Sequence, residues 1–507
     1  MAEGKGAIVE REHVVNSTDQ RQTGRRIVIV GAGPGGICMG IKLLEAGHKN
    51  FIILEKADGV GGTWWHNRYP GAACDLPSHL YSFTFALKQD WSRPYAQAPE
   101  IQRYMAGLAD AFGVRPHVRL NTEVTAAHWR EDAGQWHVCT ATGEVHEADV
   151  LVAAQGMFNE IAWPAIPGLS DYQGHLFHSA RWEHDHDMRE RRVGVIGSAA
   201  SAVQFVPEIA PNTRHLTVFQ RTANWVLPKH DDPYDEDALA YYRANRDAVL
   251  ASREKILRDL EGFVLFDEPE RLAKFEALGL RNLEQVRDPV TRAKLKPTHP
   301  YGCKRPLNSN KWFPTFNRDN VALVTEPIER ITARGIRTAD GMEHELDTII
   351  AATGFDVFRF ASAIEVIGRA GRRLDEAWHD GAQAYLGITT AGFPNLFQIY
   401  GPNTNNNSIL HMIECQTGYI TRQIGRLERE QLVWMDVRPD VMAEYNEGVQ
   451  RDALKVKVWF AGCPNYYRAP SGRVVTQYPH KSAAYHEQTT TPDPDAYEVF
   501  PPRRATA

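Results

Sequence analysis

Arg26-Ile27-Val28-Ile29-Val30-Gly31-Ala32-Gly33-Pro34-Gly35-Gly36 decides how this chain folds. The β-branched run over 27–30 predicts a short strand buried on both faces, as parallel strands are. Glycine follows at 31, 33 and 36. The first permits a tight turn, the second lets backbone N–H groups approach a pyrophosphate, and the third lets the next helix pack closely. Residues 37–46 read as that helix, stopped by Gly47. Its N-terminus offers unpaired N–H groups and a positive dipole to phosphate. Phe51-Ile52-Ile53-Leu54 reads as the next strand and delivers Glu55, 24 residues after Gly31. A carboxylate there accepts hydrogen bonds from ribose hydroxyls.

The same order recurs downstream. Arg192-Val193-Gly194-Val195-Ile196 predicts a strand, Gly197-Ser198-Ala199-Ala200-Ser201-Ala202 a turn, and 199–210 a helix. Leu216-Thr217-Val218-Phe219-Gln220 then delivers Arg221, again 24 residues after the first glycine. A guanidinium matches phosphate oxygens in a bidentate fork, whereas a carboxylate would repel them. The acid suits a bare ribose and the arginine a ribose 2′-phosphate, so two different dinucleotides are expected, FAD at the first turn and NADPH at the second. Ala199 and Ala202 replace the second and third glycines, and a methyl at 199 is expected to hold the pyrophosphate slightly further off. A quieter repeat supports duplication: Asp149-Val150-Leu151-Val152-Ala153-Ala154-Gln155-Gly156 parallels Asp347-Thr348-Ile349-Ile350-Ala351-Ala352-Thr353-Gly354.

The expected fold class is therefore α/β, with two Rossmann-like dinucleotide-binding domains and a helical insertion. Residues 1–156 and 390–507 are assigned to the FAD-binding domain, and 157–224 with 301–389 to the NADP-binding domain. Charged, helix-favouring sequence over 225–300 marks the insertion. Residues 1–24 read as a loose arm and 488–507 as a surface tail.

At 507 residues the chain is too long for one core. Its 43% hydrophobic and 24% charged content is that of an ordinary globular protein, and a net charge of −6 gives no basic field for nucleic acid. Charges interrupt the N-terminus before a secretory apolar run forms, and the apolar stretches are strand-length, so neither a leader nor a membrane span is expected. A cytoplasmic location follows as an expectation. The six cysteines, at 38, 74, 139, 303, 415 and 463, show no CxxC or CxxxxC spacing. Reduced thiols are expected, with no zinc or other metal site and no dithiol redox centre.

The most specific stretch is Gly61-Gly62-Thr63-Trp64-Trp65-His66-Asn67-Arg68-Tyr69-Pro70-Gly71-Ala72-Ala73-Cys74-Asp75. Clustered glycines and aromatics with one carboxylate suit a loop laid against a flat ring system. The segment resembles a signature of the type I Baeyer–Villiger monooxygenases: two glycines, a tryptophan, an aromatic-proline pair and an aspartate in fixed register. A second signature of that family is matched by Gly174, His178 and Trp182, with two departures, Tyr172 for phenylalanine and Glu183 for proline or aspartate. Similarity extends to Cys303-Lys304-Arg305-Pro306, Ala352-Thr353-Gly354-Phe355-Asp356 and Gly401-Pro402-Asn403-Thr404-Asn405, and so from about 25 to 480.

The resemblance implies an FAD-dependent enzyme that consumes NADPH and O2 and converts ketones to esters or lactones through a C4a-peroxyflavin and a tetrahedral (Criegee) adduct. Arg305 matches the family's catalytic cation, and Asp75 the carboxylate that orients it. The family pattern places Gly31, Gly33, Gly36, Glu55, Gly62, Thr63, Trp64, Asp75, Tyr81 and Val124 at FAD. It places Gly197, Ser198, Ser201, Gln204, Arg221, Thr222 and Lys304 at NADP. His178 is implied to organise the linker between the two domains rather than to act as a base. Val458 to Tyr467 resembles a mobile loop that shields the site from water. The implied partners are a small ketone and O2, with no protein redox partner. The alternative implied by related flavin-containing monooxygenases is oxidation of sulfur or nitrogen nucleophiles, which Trp182, Arg305 and Asp75 disfavour. A flavoprotein reductase, or a silent binding protein of the same fold, is a further alternative; the lack of a paired cysteine motif counts against disulfide-reducing members.

Overall fold

The computed structural model of the chain describes residues 24–264 and 268–501. Most of the N-terminal arm therefore lies outside the described residues. Two five-stranded parallel sheets carry the fold. In the first, Ile27–Val30 sits centrally between Val150–Ala153 and Phe51–Leu54, with Leu396–Gln398 and Val118–Arg119 outside them. In the second, Arg192–Ile196 sits between Thr348–Ala351 and His215–Phe219, with His175–His178 and Val321–Val324 outside them. The central strands are buried throughout or nearly so, as their β-branched composition requires.

The duplication runs deeper than the two glycine turns. Each unit inserts an antiparallel meander before its last central strand: Val124–Arg130, Gln135–Thr140 and Val145–Ala148 in the first, and Ile328–Thr332, Gly335–Thr338 and Glu343–Glu345 in the second. The repeated Ala-Ala-x-Gly ends have a common purpose. Gly31 has φ +103°, and a Cβ there would lie 2.7 Å from the Ala154 carbonyl oxygen. Gly197 has φ +112°, and its Cβ would lie 2.5 Å from that of Ala352. Each turn thus closes on the strand end that the quieter repeat marks, and only glycine tolerates both the conformation and the approach.

The helical insertion is present as Glu236–Ala244, Arg246–Val264, Pro269–Leu283 and Pro289–Lys294. It is pinned at its base where Val226–Leu227 pairs with Leu307–Asn308. Two expectations about boundaries differ from the packing. Glu365–Ile367 falls inside the stretch assigned to the NADP-binding domain, yet it pairs with Val124–Arg130, and Val357, Phe360, Leu374 and Trp378 share that core. By packing, the chain returns to the first unit near 355 rather than 390, because these apolar side chains enter the core that its meander shares with the first sheet. The described part of the stretch read as a surface tail, 488–501, is also structured: it begins in the helix Ser482–Thr490, and Tyr497–Phe500 pairs antiparallel with Trp434–Val437. Tyr497 is buried there and exchanges a hydroxyl hydrogen bond of 2.7 Å with Tyr419.

The two passages between units run side by side. Ala162 N donates to Gly354 O at 3.0 Å, Asp356 N to Glu160 O at 2.9 Å, and Thr353 Oγ1 to Ala162 O at 2.6 Å. His178 ends its strand beside them, against the rings of Trp163 and Phe355, and its Nδ1 accepts from Ala180 N at 3.1 Å.

One expectation about the cysteines is overturned. Cys303 and Cys463 form a disulfide across 160 residues of sequence. No local spacing marks it, because the pair is made only when the C-terminal segment folds back onto the loop before Lys304. Asn465 Nδ2 reinforces the contact, donating to Cys303 O at 3.0 Å. Cys38, Cys74, Cys139 and Cys415 keep their thiols.

Two outcomes follow. Denatured without reductant, the protein should present four thiols to a maleimide, and six after reduction, read by intact mass; six from the outset would refute the bond. Burial holds the His178 imidazole down to about 4 from 6.5, with Arg181 adding to the effect. The unfolded chain thus takes up this proton at higher pH than the folded one. Stability is full above about pH 6.5 and drains as pH falls toward 4. His178→Asn keeps an acceptor for Ala180 and does not titrate. Its melting temperature should fall less steeply over that window, the difference corresponding to at most about 3 kcal/mol; identical slopes would exclude the contribution.

Candidate active site

The first turn, the loop after it and the junction of the two units enclose one cavity of about 740 Å³. Gly31, Gly33, Glu55, Gly62, Thr63, Trp64, Asp75, Tyr81, Val124, Ser201 and Arg305 line it, although they come from distant parts of the sequence. The helix Pro34–Glu45 starts at Gly33 with no side-chain cap, so its first N–H groups face the cavity unspent. A Cβ on Gly36 would lie 1.9 Å from the Gly31 carbonyl oxygen, and one on Gly62 would lie 2.8 Å from Gly33 Cα. The turn is therefore a bare backbone cradle on two sides. Glu55 is buried at its rim; its Oε2 accepts from Ala32 N at 2.7 Å and its Oε1 from Ala57 N at 2.8 Å. Those bonds fix the carboxylate and leave each oxygen a further lone pair for a ribose hydroxyl. Trp64 Nε1 donates to Tyr81 OH at 2.9 Å, which stands the two rings edge to face as a wall. These features fit the phosphates, ribose and ring of a flavin dinucleotide.

The second turn has the same geometry. The helix Ala200–Ile209 starts uncapped at Ala199, whose φ of −94° and ψ of −159° resemble the −75° and −172° of Gly33. Alanine fits that extended conformation without strain, and its methyl lines the cavity. Arg221, Thr222 and Lys304 lie together outside the cavity. Lys304 Nζ donates to Thr222 Oγ1, and burial followed by the Arg221 charge lowers the ammonium pKa. Neither cation has a carboxylate partner among the described residues, so the pair is electrostatically open to a phosphate dianion. Gly36, Gly197 and Ser198 also lie off the cavity surface, in the turns themselves. Asn224 Nδ2 donates to Ser198 O at 3.0 Å and braces the second turn.

Gln204 is placed differently from the other expected nucleotide contacts. Its Oε1 accepts from Tyr69 OH at 2.9 Å and its Nε2 donates to Ala73 O at 3.0 Å. The amide thus clamps the second unit's helix to the first unit's aromatic loop. Gly71 belongs to the same contact, since a Cβ there would lie 2.8 Å from Gln204 O. Trp182 packs across it, against Tyr69, Phe177 and Phe205.

Arg305 lies on the wall of the same cavity. It makes no hydrogen bond or ion pair among the described residues, and its exposed side chain lines the cavity. Burial pulls its pKa down, but Tyr466, Asp75, Tyr467 and Tyr400 more than offset this, leaving it raised and the guanidinium charged. Asp75 acts on it only at a distance. No ion pair joins the two directly; the carboxylate lies 3.7 Å from Lys229 Nζ. His178 is off the cavity, capping Ala180.

Sequence reasoning missed several cavity residues. Tyr400, Asn405, Asn407 and Tyr466 face it, with Tyr400 OH donating to Asn405 Oδ1 at 3.0 Å. Asn405 and the loop around Tyr466 sat inside recognised segments, but their side-chain direction was not legible. Of the loop over 458–467, Trp459 and Tyr467 are buried in a small core with Val456 and Val474, while Tyr466 reaches the cavity.

Comparison with known proteins fits this geometry. The family described as "Pyridine nucleotide-disulphide oxidoreductase" matches residues 28–246. A Baeyer–Villiger monooxygenase of Streptomyces coelicolor is 38% identical over 95% of this chain and 93% of its own length. One from Pseudomonas aeruginosa is 38% identical over 94% and 91%. Among solved structures, cyclohexanone monooxygenase from Rhodococcus sp. Phi1 bound to NADP+ superposes with a TM-score of 0.86, at 30% identity over 95% of this chain and all of that one. Oxidised steroid monooxygenase bound to NADP gives 0.84 at 30% identity, covering 95% and 100%. The OTEMO complex with FAD and NADP gives 0.83 at 29% identity, covering 94% and 99%. With this likeness running through almost the whole of both chains, the protein belongs to the Baeyer–Villiger monooxygenase family.

Proposed function

We propose that the protein binds FAD at the Gly31 turn and NADPH at the Gly197 turn, and uses O2 to convert a ketone to an ester or lactone. The observation that carries this reading is an unpaired, charged Arg305 on the wall of the same cavity that holds the first cradle. Bound flavin supplies the oxygen chemistry, with the nicotinamide as hydride source. The overall balance is ketone, O2, NADPH and a proton to ester, water and NADP+.

The chain's own residues supply placement and charge. Gly31, Gly33 and the uncapped helix after them take the first pyrophosphate, and Glu55 takes the ribose. The Trp64–Tyr81 wall bounds the ring. Arg221, Thr222 and Lys304 take the 2′-phosphate. Arg305 faces the space where a ketone oxygen gains negative charge, and a fixed cation in a water-poor pocket stabilises that charge with no reorganisation at the moment of reaction. Tyr466 and Tyr400 share the wall with it and restrict water.

Arg305→Ala should leave flavin reduction by NADPH near the wild-type rate while ester formation falls by about 10²–10³-fold. Stopped-flow absorbance and chromatography of products, over cyclic, linear, aromatic and steroidal ketones, measure the two separately. Ester at the wild-type rate would remove Arg305 from the chemistry. Arg221→Ala should raise KM for NADPH roughly ten-fold or more, as expected for losing about 1.5–3 kcal/mol in one charged hydrogen bond, with little change for NADH. Equal losses with both cofactors would remove the phosphate clamp.

A further inference from the structure

The Cys303–Cys463 disulfide crosses from one unit to the other at the edge of the cavity. Cys303 lies where the chain leaves the helical insertion for Leu307–Asn308, two residues before Arg305. Cys463 lies in the C-terminal segment, which is laid on the first unit: Asn403 N donates to Val475 O and Asn403 Nδ2 to Val474 O, both at 2.8 Å. A covalent bond across the boundary limits how far the two walls can separate there.

The stretch around Cys463 has little regular structure to hold it. Lys457–Phe460 makes one short 3-10 turn, and no helix or strand runs through 461–466. Trp459 and Tyr467 anchor the two ends in the small core. Between those anchors Ala461, Gly462 and Pro464 are exposed, and Gly462 has φ +82° with open space where a Cβ would stand. Cys463 is the pin midway along the span. Three residues on, Tyr466 lines the cavity and stands edge to face with Phe158, ring centres 6.2 Å apart. Segments with exposed backbone and few buried contacts are the first to open, so this span depends on its pin.

The two cysteines differ in access. Cys303 is fully enclosed, at 0% exposed, whereas Cys463 retains 8% and is flanked by exposed residues. An incoming thiolate therefore meets Cys463 Sγ from outside, with Cys303 Sγ as the leaving group on the inner side.

We propose that Cys303–Cys463 is a site of thiol–disulfide exchange with a dithiol reductant, and that opening it frees Tyr466 from the cavity wall. The first thiolate of the reductant bonds to Cys463 Sγ, the bond between the two cysteines breaks, and Cys303 leaves as a thiolate that takes up a proton. The second thiolate then attacks the mixed disulfide, releases Cys463 as a thiol and closes the reductant's own disulfide. Two electrons and two protons pass from the dithiol to the protein. The loosened wall admits water, and NADPH is then spent on hydrogen peroxide rather than ester. That last consequence rests on the reaction proposed above; the exchange and the loosening do not.

The flavin-loaded protein is compared oxidised, after dithiothreitol, and after reoxidation with diamide. N-ethylmaleimide added to the folded protein should label Cys463 after dithiothreitol and leave it unlabelled before, read by peptide mass spectrometry. Amide hydrogen exchange over 460–466 should rise about ten-fold or more on reduction and return on reoxidation. With the reductant removed, the ratio of ester formed to NADPH consumed should fall about three-fold or more while flavin reduction by NADPH keeps its rate. Reoxidation should restore the ratio. Cys303→Ser combined with Cys463→Ser should behave as the reduced protein does, with or without dithiothreitol. Should that variant fail to fold, judged by thermal melting, the reduced and reoxidised wild type carry the comparison. No label at Cys463 after dithiothreitol overturns the proposal, as does exchange over 460–466 that reduction leaves unchanged, or an ester yield per NADPH that is the same in both states. If label and exchange behave as expected but the oxidised protein forms no ester from any ketone, the exchange site stands and the assigned reaction fails.

Discussion

Two backbone approaches set the frame for everything else: Gly31 against the carbonyl of Ala154, and Gly197 against that of Ala352. In each unit a left-handed glycine lets the turn after the central strand lie on the end of its neighbour, which aims the following helix at the mouth of the sheet. A side chain at either position would push turn and strand apart and swing the helix N-terminus away from the phosphates. Because both units use the same closure, the two open helix ends converge on the junction between them. The aromatic loop of the first unit fills that junction, locked by Gln204 to the second.

Charge placement then decides what the junction can do. Many cations of the molecule are engaged with carboxylates at the surface, where such pairs contribute little. Arg305 is different in lining the cavity without an ion-pair partner among the described residues. Its aromatic neighbours Tyr466 and Tyr400 give it a wall without neutralising it. Asp75 is close enough to act on it electrostatically but is tied to Lys229. A cation held this way costs stability, and such costs are characteristic of sites whose partner arrives with the reaction.

Most of the frame was legible in sequence, because the devices that build it are local. A β-branched run, three glycines and an acid at fixed spacing must fold one way, and the Arg221 counterpart follows the same logic. Ala199 was readable as a departure, but that its backbone carries no strain needed its dihedral angles. What was not legible depends on chain segments meeting in space. The Cys303–Cys463 bond joins residues with no local pattern between them. The return of 365–367 to the first unit is set by which apolar face lacked cover. The approach of Lys229 to Asp75 carries no motif, and only the fold brings that lysine against the aromatic loop. Gln204 was placed at a nucleotide by family likeness; that its amide also bonds Tyr69 and Ala73 across the units is shown only by the fold.

Cys303, Lys304 and Arg305 are consecutive, yet they serve three separate ends: a covalent tie to the C-terminal segment, the open cationic patch beside Thr222, and the cavity wall. Traits that share three adjacent residues cannot drift independently. A lineage changing its nucleotide preference has room to do so at Arg221 and Thr222, on a strand end of their own. Change at Lys304 pulls on the peptide units that fix both the tie and the cavity cation. Divergence within such a lineage should therefore accumulate unevenly, with 221 and 222 free to vary and 303–305 moving, if at all, as a block.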